Sequence, residues 1–331
     1  MTQIKTRKLG GEGFDVSEVG LGCWQIGGDW GDTSDATSQE ILQAAHAAGV
    51  TFFDTADVYG GGQSERALGQ FLRNLPDPDR PKVATKFGRG GGVFPDGYTK
   101  DAMREGVESS LERLGLSKLD LVQLHCIPTD VLRQGDVFDW LRDLQSEGLV
   151  AHFGASVETI EEGLIAIQQD GLLSLQVIFN AFRQRLVQEL LPQAEAKGVG
   201  IIARLPLASG VLSGKFTKDT TFPENDHRNY NRDGAAFNVG ETFAGIPFEK
   251  AVELVDGLKG DLPQGLTMAE VANRWILDHR AVSTIIPGAS HPAQIQRNAA
   301  VSALAPLDPA YTAALRDYYD ANVAPHIRGP Y

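Results

Sequence analysis

The stretch Gly20-Leu21-Gly22-Cys23-Trp24-Gln25 decides the fold. It follows the first apolar run of the chain, where an open, doubly wound sheet would carry its G-x-G-x-x-G phosphate turn, but Gln25 stands in place of the third glycine. A second phosphate-loop candidate fails as well. Gly210 to Lys215 is one residue short of the Walker spacing, and Phe216 stands where Ser or Thr must be. With the nucleotide-binding open sheet weakened, the alternation of strands and helices along the rest of the chain reads better as a closed barrel.

Working outward from that turn, apolar or β-branched runs fall at about 16–22, 50–54, 82–87, 119–125, 150–154, 175–180, 199–205 and 282–287. Eight such strands close a (β/α)8 TIM barrel. Between them, 34–48, 64–73, 99–114, 137–147, 159–169 and 187–197 carry apolar residues at three- and four-residue spacing. Gly49, Gly115, Gly148 and Gly198 stand where helix C-termini need a residue tolerant of positive φ. Three segments lie outside the repeat. Residues 4–17 read as an N-terminal β-hairpin around Gly10-Gly11 that caps one barrel end, and 215–248 form an extended loop after strand seven. Helical stretches near 249–258 and 267–279 follow that loop, and a helix over 309–321 precedes a tail containing proline.

The chain has 331 residues, long enough for two average domains or one barrel of roughly 250 residues with insertions. The strand count favours one domain spanning 1–331. A formal net charge of -13 repels phosphate backbones and anionic lipid, so small molecules are better partners than nucleic acid or a membrane. No leader-like apolar segment opens the chain, and no apolar run approaches the roughly 18 residues of a spanning helix. A cytoplasmic location is expected, with Cys23 and Cys126 as free thiols. A homo-oligomer stays open.

Catalytic groups of such barrels sit at the C-terminal ends of strands, where the loops converge. There the sequence offers Asp54, Lys86 and His125, from strands two, three and four, with Tyr59 just past strand two on a loop loosened by Gly60, Gly61 and Gly62. Singly, Asp54 reads as a cap, Lys86 as a surface lysine, His125 as a core histidine and Tyr59 as a rim residue. Together they make a proton-transfer site. Lys86 would lower the Tyr59 pKa, Asp54 would pin Lys86, and His125 would orient a carbonyl that Tyr59 protonates. The attacking group is missing from the protein, because the histidines lack metal-binding spacing and neither Ser nor Cys looks activated. A cofactor hydride would fill that role.

At this point the chain resembles the aldo-keto reductase superfamily. The resemblance rests on Phe53-Asp54-Thr55-Ala56-Asp57-Val58-Tyr59-Gly60, Ala84-Thr85-Lys86, Leu121-Val122-Gln123-Leu124-His125 and Gly154-Ala155-Ser156, in order, and extends from about Leu9 to Asn298. It implies Asp54, Tyr59, Lys86 and His125 as the catalytic tetrad and an extended nicotinamide cofactor, NADP(H) favoured over NAD(H). It also implies Ser156 and Gln176 at the nicotinamide carboxamide, although Val157 replaces the usual Asn after the serine. Gly22, Cys23 and Trp24 join the cofactor set from the first turn. Arg204 occupies a place where many members stack an aromatic ring, and Leu205, Leu207, Ser209, Gly210 and Lys215 match the pyrophosphate loop. Ser290, Arg297 and Asn298 match the adenosine end, where Gly288 and Gln294 replace the Lys and Arg that often hold a 2′-phosphate.

Trp24, Trp30, Tyr59, His125 and Cys126 are the expected substrate wall. The resulting expectation is reversible reduction of an aldehyde or ketone, sugar-like or hydroxylated. The alternatives are a Lys86 Schiff-base aldolase and a non-catalytic, nicotinamide-binding regulatory subunit. A metal role is not expected.

Overall fold

A computed structural model of the protein describes residues 4–28, 30 and 34–331. The hairpin of β1 (Thr6–Lys8) and β2 (Asp15–Ser17) precedes eight parallel strands: β3 (Leu21–Gly22), β4 (Phe52–Asp54), β5 (Lys82–Phe87), β6 (Leu119–His125), β7 (Val150–Ser156), β8 (Leu172–Ile178), β9 (Gly200–Arg204) and β10 (Val282–Ile285). Each pairs with the next in sequence. The ring is completed where Val19 bridges Ile285 and Gly22 bridges Gly288, with the Gly20 amide donating to the Ile285 carbonyl at 2.8 Å. This is the (β/α)8 barrel that the alternation implied.

The helices in chain order are α1 (Asp35–Ala47), α2 (Gln63–Arg73), α3 (Lys100–Leu114), α4 (Thr129–Gln134), α5 (Asp136–Ser146), α6 (Ile160–Ala166), α7 (Leu190–Ala196), α8 (His227–Tyr230), α9 (Phe248–Leu258), α10 (Met268–Leu277), α11 (Pro292–Ala300) and α12 (Pro309–Tyr318). Ser34 and Thr99 cap α1 and α3 by accepting from the amides three residues on. Gly49, Gly115, Gly148 and Gly198 all take positive φ, 68–89°. The short helices α4 and α8 carry too few turns to show a helical period in the sequence.

The first apolar run serves two sheets rather than one. Ser17 bends it: the Ser17 amide donates to Thr51 Oγ1 at 2.9 Å, and the Thr51 amide donates to Ser17 Oγ at 3.0 Å. Residues before the bend pair within the hairpin, and residues after it enter the barrel. The hairpin caps the barrel as expected. Its Leu9, Phe14 and Val16 pack on Phe52, Ala84, Leu121 and Ile202, the inward residues at the lower end of their strands. Side chains two residues further along point inward as well, because strand side chains alternate with period two. Those residues are Asp54, Lys86, Gln123 and Arg204. The sequence thus places an apolar floor and a polar upper layer inside one barrel, with the site above the floor.

Among the described residues no helix is long and apolar enough to cross a membrane. Cys23 and Cys126 are buried free thiols.

Candidate active site

Lys86 is 1% exposed, and its ammonium donates to Asp54 Oδ1 at 2.5 Å, to the Thr55 carbonyl at 2.8 Å and to Tyr59 Oη at 3.2 Å. All three of its protons are engaged. Asp54 Oδ2 accepts from Gln176 Nε2 at 2.7 Å and from Gln123 Nε2 at 3.1 Å, so its two oxygens are held from β5, β6 and β8. The Tyr59 ring meets the His125 ring edge-on, with centroids 5.9 Å apart, and stacks on Trp24. The four residues from three strand ends therefore form one cluster.

The glycines after Tyr59 fix the loop rather than loosen it. Gly60, Gly61 and Gly62 take φ of 58°, 58° and 85°, and Gly60 lies against the Gly27 carbonyl where no Cβ would fit. That close approach sets the position of Tyr59.

Electrostatics correct a second expectation. Burial, countered by Lys86, pushes the Tyr59 phenol up to about 12, so the ammonium does not bring it below its ordinary value. Asp54 already absorbs much of the Lys86 charge. Burial also opposes the charge on Lys86, but the Asp54 pair and the contacts with Tyr59 raise it above an ordinary lysine. Burial first, then Lys86, Arg89 and Arg204, holds His125 well below the usual histidine value, leaving a neutral imidazole. Among the described residues its Nδ1 has no hydrogen-bond partner.

These groups open into a cavity of about 510 Å³, within the range of small-molecule sites. Asp54, Tyr59 and His125 line its floor, with Gly22, Trp24, Ser156 and Gln176 beside them. Arg204, Leu205, Leu207, Ser209, Gly210 and Lys215 form one wall, and Trp30 also lines the cavity. Gly288, Ser290 and Gln294 line its other end. Five expected residues lie elsewhere. Lys86 sits beneath Tyr59, the buried Cys23 thiol faces the Leu21 carbonyl, and Cys126 lies behind the wall, 3.6 Å from both Arg204 Nη2 and Ser156 Oγ. Arg297 and Asn298, on α11, do not reach the lining; Arg297 is exposed. Gln176 faces Asp54 as well as the cavity, and Gln294 turns back to accept from the Ser290 amide at 2.6 Å.

The extended loop is folded over the mouth. Trp30 bridges Asp226, His227 packs between Trp24 and Trp30 at 4.8 and 4.2 Å, and Arg228 lies 4.9 Å over Trp30 while pairing with Asp226. Glu241 also reaches the lining, as do Arg89, Phe237 and Tyr230. Sequence reading missed Glu241, Arg89 and Phe237. Arg89 follows Lys86 by three positions just past a strand end, a signal that was present, but nothing local marks Glu241.

An acidic chain must hold a polyanion if a dinucleotide binds, and the lining is locally basic. Lys215, Arg89, Arg204 and Arg228 line it against the carboxylates Asp54 and Glu241. The backbone after β9 is bent to reach it: Leu205, Ala208 and Ser209 take positive φ of 52°, 47° and 56°, a strain common at functional sites. The residues therefore fit an extended nicotinamide dinucleotide.

A sequence profile described as the Aldo/keto reductase family matches residues 18–320. The chain belongs to the aldo-keto reductase family. It is similar to the aldo-keto reductase YhdN of Bacillus subtilis, 30% identical over 288 residues covering 86% of this chain and 84% of that one. It is also 30% identical to a probable voltage-gated potassium channel subunit beta of Oryza sativa, with 89% and 90% covered. The glycerol dehydrogenase of Gluconobacter oxydans superposes with a TM-score of 0.78 at 28% identity, covering 100% of this chain and 98% of that one. As an aldo-keto reductase the protein is an oxidoreductase. Members use nicotinamide cofactors and small-molecule substrates.

Proposed function

We propose that the protein, acting as one catalytic unit over residues 1–331, reduces the carbonyl of an aldehyde or ketone reversibly, using NADP(H) in preference to NAD(H). The observation that carries this reading is the direction of the Tyr59 proton. Tyr59 Oη accepts from Lys86 Nζ at 3.2 Å, so its own proton is left to be donated into the cavity. A nicotinamide dinucleotide would be held with its carboxamide at Ser156 and Gln176 and its pyrophosphate along Leu205, Leu207, Ser209, Gly210 and Lys215, and would supply the hydride. Tyr59 donates its proton to the carbonyl oxygen as negative charge develops there, and neutral His125 gives that oxygen a hydrogen bond. Asp54 and Lys86 keep the phenol in place. Trp24 and Trp30 wall the substrate and exclude water.

A Schiff-base role for Lys86 is poorly supported, since a buried ammonium with three acceptors and a raised pKa is a weak nucleophile. Likeness to probable channel subunits leaves a regulatory reading to test. Fluorescence titration with NADPH and NADH in parallel, followed by steady-state turnover of a panel of aldehydes, tests the proposal. Tight NADPH binding with turnover is the expected result. Cofactor binding without turnover of any carbonyl would favour the regulatory reading, and borohydride trapping on Lys86 would favour the aldolase.

A further inference from the structure

The mouth contains a second charged cluster that the proton-transfer set does not use. Glu241 comes from the loop over the mouth and is 4% exposed. Its Oε1 lies 3.2 Å from Arg89 Nη1 and 3.3 Å from Arg204 Nη1. Arg89 also reaches Glu158 at 2.6 Å. Two guanidiniums thus face two carboxylates, and the cluster is formally neutral. Cys126, Glu158 and Glu241 place ligand atoms within 4.8 Å of one another, but each already bonds Arg89 or Arg204, so a cation would have to displace a guanidinium.

Arg89, Arg204 and Glu241 all line the cavity that holds Tyr59 and His125. Arg204 Nε is buried and, among the described residues, has no hydrogen-bond partner. It needs an acceptor from whatever enters. An anionic substrate would meet guanidiniums whose charge Glu241 and Glu158 have taken up, and at Arg204 it would lie beside the Glu241 carboxylate. Like charges that close repel. A hydroxyl meets no such cost, because it accepts from a guanidinium and donates to Glu241 at once.

We infer that Glu241 is a specificity-determining residue that makes the pocket select neutral, hydroxylated carbonyl compounds and reject anionic aldehydes. The inference rests on the reductase reading and names its substrate class. Removing the Glu241 charge would release Arg89 and Arg204 to bind a carboxylate, a geometry guanidinium groups favour.

The test compares kcat/KM for glyceraldehyde and for succinic semialdehyde, with NADPH, in the wild-type protein and in Glu241→Gln. The wild-type protein is expected to favour glyceraldehyde by at least about tenfold, and the variant to move the ratio at least about tenfold towards succinic semialdehyde. A change of ratio cancels the difference in size between the aldehydes. A wild-type preference for succinic semialdehyde would overturn the inference without any variant, which matters if Glu241→Gln fails to fold. An unmoved ratio in a folded, active variant would overturn it too, and so would a loss of NADPH affinity in its place. These outcomes leave the reductase reading standing. Absence of turnover with both aldehydes in both proteins overturns this inference, and the reductase reading falls with it only if no other carbonyl is turned over.

Discussion

Lys86 donates to Tyr59: the ammonium nitrogen lies 3.2 Å from the phenol oxygen, and Asp54 holds it from below at 2.5 Å. Lys86 is itself hidden from the cavity, so the lysine acts through the tyrosine. Tyr59→Phe keeps the ring stacked on Trp24 and removes only the proton. Turnover should fall by about 10²–10⁴ while NADPH still quenches fluorescence with near-wild-type affinity. Near-normal kcat in that variant would end the assigned role.

The pH dependence follows from the same pair. Burial pushes Tyr59 up to about 12 and holds His125 well below the usual histidine value. The phenol is therefore protonated and the imidazole neutral throughout the neutral range. Carbonyl reduction, which needs the phenol as acid, should be flat in kcat/KM from about pH 6 to 9. Alcohol oxidation needs the phenolate, whose fraction grows tenfold per pH unit below its pKa, so it should climb steadily with pH. A histidine limb near pH 6.5 in the reduction profile would contradict the neutral imidazole.

Much of this site was legible in the sequence because strand ends converge on a barrel mouth and side chains alternate along a strand. Asp54, Lys86 and His125 could be read that way from three short runs. The Gly60–62 run was legible as unusual but misread as looseness, since the Gly27 carbonyl it accommodates lies on another loop. The Tyr59 pKa was misjudged because a sequence shows the neighbouring cation but not the depth of burial that outweighs it. Glu241 stayed invisible. Its position depends on contacts far along the chain, including the Ser209 hydroxyl that donates to its carbonyl at 2.8 Å.

Asp57 carries a stability prediction. Burial first, then the nearby Glu65 carboxylate, raises Asp57 to about 7, against the weaker pull of Arg113 and Lys86. Among the described residues its Oδ1 has no partner. A carboxyl with a folded-state pKa above its unfolded value binds more protons when folded, so its ionisation costs stability. That cost should grow from about pH 4 to about pH 7 and then level off, reaching on the order of 2–4 kcal/mol. Asp57→Asn should raise Tm at pH 8 and flatten Tm between pH 5 and 8. An unchanged slope in thermal unfolding would show that Asp57 is solvated.

The tail should matter to a pocket it does not line. The Arg328 guanidinium donates from Nε to the Gly245 carbonyl at 2.9 Å, pairs with Asp233 at 2.7 Å and donates to the Arg232 carbonyl at 3.1 Å. The Arg328 amide also donates to the Gly245 carbonyl, at 3.1 Å, and Gly329 packs on Val239. These contacts tie down the end of the loop whose Glu241 faces Arg204. Arg328→Ala deletes the side-chain ties, at a cost of about 1–3 kcal/mol, without touching the proton-transfer set. The carbonyl KM should rise several-fold with kcat held within about threefold, because a loosened loop weakens binding more than proton transfer. Protease should cut faster within 215–248, and NADPH should slow that cutting. If KM and the cleavage rate both stay at wild-type values, the tail does not hold the loop over the mouth.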